Sequence, residues 1–317
     1  RFFYLLHCYR FAYWSKPVPR WVRKQLKGAS WDIVIAHDIE TMLLANTLNS
    51  RVIADLHEYA PRQYEHSKQW VRTIAPYYRW ICKHEVVKAA GVVTVSEGIA
   101  REYSRNFDVE VEVITNATSY IDLFPGEVSF PIKLVHSGLA ASHRKLEVMI
   151  DAVQDTTTAV ELHFYLVADA QNEYFQFLKN RASANSNIFF HEEVPYSTLI
   201  ETLNSFDVGV YIMAPTSFNH EKALPNKFFD FIQARLGLII GPSEEMVALL
   251  QEFGFGAVSN DFSAESFTKV LDSLNLEQIA QWKQNSHQSA RELSGEKQME
   301  KLEQIILRIL LDTEELS

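Results

Sequence analysis

Residues 132–153 read IKLVHSGLAASHRKLEVMIDAV, and three kinds of local structure follow one another inside them. Ile132–His136 is a short, nearly continuous apolar run of the kind buried on both faces of a parallel sheet. Gly138 comes just past that run, where it permits close backbone approach, and Arg144 and Lys145 bring two adjacent cations to the next helix start. Leu146–Val153 spaces its apolar residues as a helix does. Strand, glycine-bearing loop and helix form one βα unit. Ligands of such folds sit beyond the carboxyl ends of the strands, so this loop is the first place to look for one.

The same unit recurs in both directions. Upstream, Asp32–Ala36, Arg51–Asp55, Gly91–Val95 and Val111–Ile114 read as strands, with helical patterns over Gln69–Ala90 and Glu97–Asn106. Downstream, Leu162–Val167, Asn187–Phe190, Asp207–Met213 and Leu238–Ile240 read as strands, and Tyr174–Ala184, Ser197–Asn204 and Pro225–Ala234 as helices. Phe124-Pro125-Gly126 and Phe130-Pro131 separate the two series and suit a linker. The expected fold is α/β, with two Rossmann-like doubly wound domains facing a cleft. The tail from Leu276 to Leu311 is helical, and Leu302, Ile305, Ile306, Ile309 and Leu310 form a stripe that requires burial.

At 317 residues the chain is long enough for two cores, and 47% hydrophobic with 22% charged residues is a globular balance. No apolar run reaches the roughly 18 residues of a membrane span, and the amino end lacks the uninterrupted apolar core of a signal peptide. Cys8 and Cys82 make no disulfide framework and lack metal-ligand spacing, so a reducing, cytoplasmic setting is expected. A net charge of −10 argues against nucleic-acid binding. The charge is uneven, however. No acid precedes Asp32, while Arg1, Arg10, Lys16, Arg20, Arg23, Lys24 and Lys27 alternate with Phe2, Phe3, Tyr4, Tyr9, Phe11, Tyr13, Trp14 and Trp21. Residues 1–28 therefore fit either an anionic membrane surface, as a peripheral contact at its inner face, or a helix with buried aromatics and solvated cations.

The densest local chemistry is at Leu224-Pro225-Asn226-Lys227-Phe228-Phe229-Asp230, preceded by Asn219-His220-Glu221-Lys222. Pro225 suits a first helical turn, whose free amides attract a phosphate, and Lys227 adds a point charge. Asp230 follows about one turn along the same face, where it can accept from ribose hydroxyls. The alternative is an ordinary capped helix. Neither the GxxxxGK[ST] spacing nor GxGxxG occurs, which disfavours a P-loop or a dinucleotide site. In the first series, His37 and Asp38 follow one strand, and His57 and Glu58 follow the next. Two His–acid pairs at successive strand ends suggest a site, but no spacing here is diagnostic of a metal.

The segments HDIETMLLAN (37–46), ADLHEYAP (54–61), VTVSEGIAREY (93–103), VITNATSY (113–120), HSGLAASHRKLEVMIDA (136–152) and ALPNKFFDFIQARLGLII (223–240) occur in an order that resembles retaining GT-B glycosyltransferases, especially glycosyltransferase family 4. The resemblance covers nearly the whole chain from Asp32 onward. It implies an acceptor-side domain over 1–129, a nucleotide-sugar domain over 130–296 and a last helix, 297–317, that packs back on the N-terminal domain. It implies that Arg144 contacts the donor diphosphate, with Gly138 in the preceding loop. Asn226, Lys227 and Asp230 then match the segment around the second acid of the E-x7-E motif, the first acid falling on Lys222 with Glu221 adjacent. His191 and Val194 match the loop holding the nucleotide base, and His37, Asp38, His57, Glu58, Ser96 and Asn116 the acceptor side. The family's opening strand and glycine-rich loop are not found, so an incomplete N-terminal domain is expected, and the chain begins with Arg rather than Met.

The resulting expectation is transfer of a sugar, with retention, from a nucleotide-diphosphate-sugar to a glycan or lipid-linked acceptor, as in polysaccharide biosynthesis. His57, Arg144 and Lys227 are the catalytic candidates, and neither cofactor nor metal is expected. The rivals are a non-catalytic glycosyltransferase-like scaffold and a UDP-sugar epimerase of the same fold.

Overall fold

A computed structural model describes residues 6–48, 50–169 and 171–311; Arg1, Phe2, Phe3 and Tyr4 of the basic aromatic start lie outside the described residues. The chain divides into two compact units. Unit 1 comprises Arg1–Thr115, Thr216–Ala223 and Gln298–Ser317, and unit 2 comprises Asn116–Pro215 and Leu224–Lys297. The segment carrying Glu221 and Lys222, expected in the donor domain, thus belongs to unit 1, whereas Asn116, expected on the acceptor side, opens unit 2.

In unit 1, helices α1 (Tyr9–Trp14) and α2 (Pro17–Gln25) precede strands β1 (Ile33–His37), β2 (Arg51–Leu56), β3 (Gly91–Thr94) and β4 (Glu112–Val113). The strands are parallel and hydrogen-bonded in chain order, without reversal. Alternation along β2 divides the side chains between two faces. Val52, Ala54 and Leu56 join Ala36, Val92, Tyr77, Tyr78 and Ile81 in one core. Ile53 and Val93 pack on the other side against Ile305 and Ile309 of the closing helix, so the tail's apolar stripe is buried on this sheet. Arg51 Nη1 donates to the Ile309 carbonyl at 2.6 Å and ties the two together.

The continuous helix expected over Gln69–Ala90 is instead α3 (Lys68–Thr73), α4 (Ala75–His84) and a 3-10 turn at Val86–Lys88. Pro76 sits in the first turn of α4, where a missing N–H is tolerated; a helix running through it would lose a hydrogen bond and clash. Helix α5 (Glu97–Asn106) forms as expected.

Unit 2 is a sheet of six parallel strands in the order β10-β9-β8-β5-β6-β7. Their spans are β5 (Ile132–Leu139), β6 (Val160–Val167), β7 (Ile188–His191), β8 (Val208–Tyr211), β9 (Gly237–Ile240) and β10 (Gly256–Val258). Helices α6 (Glu147–Asp155), α7 (Glu173–Ala182), α8 (Tyr196–Leu203), α9 (Asn226–Gln233), α10 (Glu244–Phe253), α11 (Ala264–Asp272) and α12 (Leu276–Ser289) fill two separate apolar cores, and α13 (Gly295–Leu311) closes the chain. The direction of winding reverses between β5 and β8, so the doubly wound order expected of both domains is seen in unit 2 alone among the described strands. Strand β10 and helices α10 and α11 were not anticipated. Gly256–Val258 is too short for a period, whereas Gly254 at φ +68 ends α10 as a left-handed helix cap, a signal present in the sequence.

Among the described residues no helix is long and apolar enough to cross a membrane. Truncating the last helix at Ile309→Ala is expected to cost about 2–4 kcal/mol in unit 1. Urea unfolding followed by tryptophan fluorescence reads this, because Trp14, Trp21, Trp31, Trp70 and Trp80 all belong to unit 1.

Candidate functional site

The reversal point between β5 and β8 is where a doubly wound sheet opens a crevice beyond its strand ends. Strand β5 runs to Leu139, so Gly138 lies inside the strand, paired with Leu166, rather than beyond it. Its φ of +142 excludes ordinary side chains, and a Cβ there would stand 3.0 Å from both Arg144 Nη1 and Lys227 Nζ. Two cations from different segments thus converge on the one position without a side chain. Lys145, expected beside Arg144, points away: it occupies the left-handed position after a 3-10 turn and reaches Glu147 at 3.9 Å, largely in solvent.

Lys227 enters from the first turn of α9. Pro225 is the residue before that helix, in extended geometry, rather than its first residue, and supplies no side-chain cap. The Lys227 amine is pushed down to about 8 by burial and by Arg144, against the pull of Asp230. Its Nζ lies 5.5 Å from the Tyr211 ring centroid. Beneath it is His136, fully buried on β5 and driven down to about 3 by burial and by the charges of Lys227 and Arg144. A carbonyl only accepts, so the 2.8 Å bond to the Val210 carbonyl fixes the proton on Nδ1. His136 Nε2 and Arg144 Nε are buried without hydrogen-bond partners. Buried polar atoms without partners are rare in folded proteins, and these two belong to the same group of side chains as Lys227.

Asp230, one turn along α9, is buried, and its Oδ1 accepts from Thr118 Oγ1 at 2.6 Å and Tyr196 Oη at 3.1 Å. Burial raises its pKa, while those two bonds and Lys227 lower it. Thr118 and Tyr196 were missed in the sequence. Thr118 lies two residues after Asn116, which is itself exposed. A cavity of about 170 Å³ is lined by Ser137, Gly138, Tyr165, Glu193, Val194, Tyr196, Asn226, Lys227 and Asp230. His191 stacks on Tyr165 at 4.6 Å and shares a 2.9 Å hydrogen bond with His163. Leu224 packs into the core beside α9.

In unit 1 the expected pairs His37–Asp38 and His57–Glu58 are not the contacts formed. Both imidazoles instead meet Asp55 Oδ2, His37 through Nδ1 at 2.8 Å and His57 through Nε2 at 3.2 Å. The sequence reading missed Asp55 because it counts as part of the strand; it is the register partner of His37. Asp38 adopts φ +58, and its Oδ1 accepts from the His57 amide at 3.4 Å. Glu58 has its carboxyl pKa raised mainly by burial, with the charges of Asp38 and Glu40 adding. Ser96 does not line an open surface: it is buried and donates to the Lys222 carbonyl at 2.6 Å. Lys222 Nζ pairs with Glu221 at 3.0 Å. Sequence spacing does not reveal the His37–Asp55–His57 cluster, whose possible ligand atoms all lie within 4.8 Å of one another.

Residues 5–117 match the family model of the glycosyl transferase 4-like domain. No curated protein matches the sequence. Among solved structures, Anabaena HepE in complex with UDP is similar at TM-score 0.74 and 11% identity, covering 92% of this chain and 82% of that one. The pneumococcal O-GlcNAc transferase GtfA, in complex with UDP and GlcNAc, is similar at TM-score 0.68 and 13% identity, covering 91% and 60%. Staphylococcus aureus TarM is similar at TM-score 0.67 and 13% identity, covering 91% of this chain, which spans only 58% of TarM's length.

The Lys227 amine gives a direct check on this geometry. In ¹³C NMR of lysine-labelled protein its resonance is expected to titrate near 8, against about 10.4 for surface lysines. Arg144→Gln should move that midpoint upward by removing the neighbouring charge.

Proposed function

For a chain with the GT-B fold of glycosyltransferases, we propose transfer of a sugar from a nucleotide-diphosphate-sugar to an acceptor hydroxyl, with retention at the anomeric carbon. The observation that carries this reading is the convergence of Arg144 and Lys227 on Gly138 at the reversal point of the unit 2 sheet. Two like charges brought this close repel each other and need an anion between them. A diphosphate supplies it, and Lys227 and Asn226 of the first turn of α9 line the same cavity. The complexes of HepE and GtfA with UDP favour a uridine nucleotide.

In this reaction the acceptor oxygen forms a bond to the anomeric carbon as the bond from that carbon to the diphosphate breaks. The acceptor proton passes to the departing diphosphate on the same face, which preserves configuration. Arg144 and Lys227 stabilise the negative charge that grows on the leaving oxygen, where low dielectric strengthens their effect. His136, held neutral, adds no third positive charge and keeps an acceptor nitrogen beside them. Asp230, fixed by Thr118 and Tyr196, accepts from ribose hydroxyls, and Tyr165 with Val194 borders the cavity on the base side.

The acceptor is proposed to be glycan or lipid-linked and to be met at an anionic membrane surface, from the cytoplasmic side. Helix α2 buries no residue and carries Arg20, Arg23 and Lys24, while Trp21 is 62% and Val18 67% exposed. A cavity of about 680 Å³ beside it is lined by Trp14, Arg20, Arg23, Lys24 and Lys27. An amphipathic, basic helix with exposed tryptophan suits the boundary between headgroups and acyl chains.

Calorimetry with UDP and GDP tests the donor site: one should bind, and Lys227→Met or Arg144→Gln should each weaken it about 10- to 100-fold, or about 1.4–2.8 kcal/mol. The sign of the pH effect follows from Lys227. Its pKa near 8 in the free protein rises again when an anion binds, so affinity holds below pH 8 and falls above it, and Lys227→Met removes that slope. Binding of neither nucleotide by the full chain would overturn the reading. Retention is checked by the anomeric proton coupling of the product. For the membrane contact, changing Arg20, Arg23, Lys24 and Lys27 to Gln should weaken flotation with phosphatidylserine vesicles, at about 1 kcal/mol per charge at low salt.

A further inference from the structure

The cluster His37, Asp55 and His57 takes no part in the donor chemistry above. It stands at the carboxyl end of two adjacent parallel strands, β1 and β2, where His37 and Asp55 are register partners. His57 is two residues beyond Asp55, just past the end of β2 at Leu56. All three donor atoms lie within 4.8 Å of one another, with 2.8 and 3.2 Å from the two imidazole nitrogens to Asp55 Oδ2. A tetrahedral zinc ion, with bonds of about 2.0–2.1 Å, holds its ligand atoms about 3.3 Å apart. The two imidazole-to-carboxylate distances, 2.8 and 3.2 Å, lie close to that spacing.

We propose that His37, Asp55 and His57 form a site for a divalent transition-metal ion of the zinc class, with one coordination position left open. Two imidazoles and one carboxylate are the donors such an ion prefers, and three protein ligands with an open fourth position are the pattern of a zinc that works on a substrate oxygen. The backbone that carries the three ligands is fixed by hydrogen bonds. The His57 amide donates to Asp38 Oδ1, Thr41 Oγ1 donates to the His37 carbonyl at 2.8 Å, and the Asp38 amide donates to the Asp55 carbonyl at 2.8 Å. Both histidines are exposed, 66% and 46% by side chain, so an ion has a path in and neither ring is needed for the core. The open position would take water or a sugar hydroxyl. The proposal stands on unit 1 alone and does not depend on nucleotide binding in unit 2.

The test uses the full chain, stripped with a chelator and titrated with ZnCl₂ by calorimetry and with CoCl₂ by visible absorption. One equivalent of Zn²⁺ is expected to bind, and Co²⁺ should give the ligand-field bands of a four- or five-coordinate site. The double substitution His37→Gln and His57→Gln should weaken Zn²⁺ binding by more than about 100-fold, beyond what loss of an outer contact costs. Asp55→Asn, which keeps the shape, should weaken it at least about 10-fold. Circular dichroism and thermal unfolding confirm that each variant is folded. Absence of stoichiometric binding by the parent chain would overturn the proposal, and so would unchanged affinity in the folded double variant.

Discussion

Arg144 and Lys227 are held within reach of the same point, the empty Cβ position of Gly138, and the rest of unit 2 makes that arrangement possible. Like charges in a half-buried place repel each other and lose hydration, which appears as a lysine pKa near 8 and a histidine driven to about 3. A fold keeps such an arrangement only where a strong scaffold imposes it. Here that scaffold is a parallel sheet buried on both faces, whose reversal point fixes where β5 and β8 end. The positive φ of Gly138 lets the backbone turn beneath both cations.

The counter-charge is arranged with equal care. Asp230 lies one turn beyond Lys227 on α9, close enough to favour the lysine's charged form yet tied by Thr118 and Tyr196 through one oxygen. If Asp230 were free to collapse onto Lys227, the two would neutralise each other and the site would lose its field. Hydroxyl donors from two other segments hold the carboxylate in place. The cavity therefore stays cationic at one end and hydrogen-bonding at the other, which is the polarity of a nucleoside diphosphate.

Unit 1 uses the same device of strand-end placement with different chemistry. One carboxylate oxygen serves two imidazoles, and their register is set by the pairing of β1 with β2. Packing does not require this, since both rings are exposed. The closing helix secures this sheet from its other face through Ile305 and Ile309, so the strand ends stay fixed although the sheet has only four described strands.

Much of this was legible in the amino-acid sequence. Apolar runs of strand length between helical patterns determined the parallel α/β class, because burial on both faces leaves no polar alternation to read. Gly138, Arg144, Lys227 and Asp230 stood out because charge and glycine at strand ends and helix starts are costly unless used. Other features were set by tertiary structure alone. That both histidines share Asp55 follows from strand register, which local spacing does not encode. That Thr118 and Tyr196 hold Asp230 depends on contacts across 112 and 34 residues. That Glu221 and Lys222 belong with unit 1 depends on a chain excursion invisible to any window of periodicity. Local sequence reports what each segment prefers in water or in a core; which polar atoms meet is decided only when the segments pack, because hydrogen bonds act over about 3 Å and the chain between partners is many times longer.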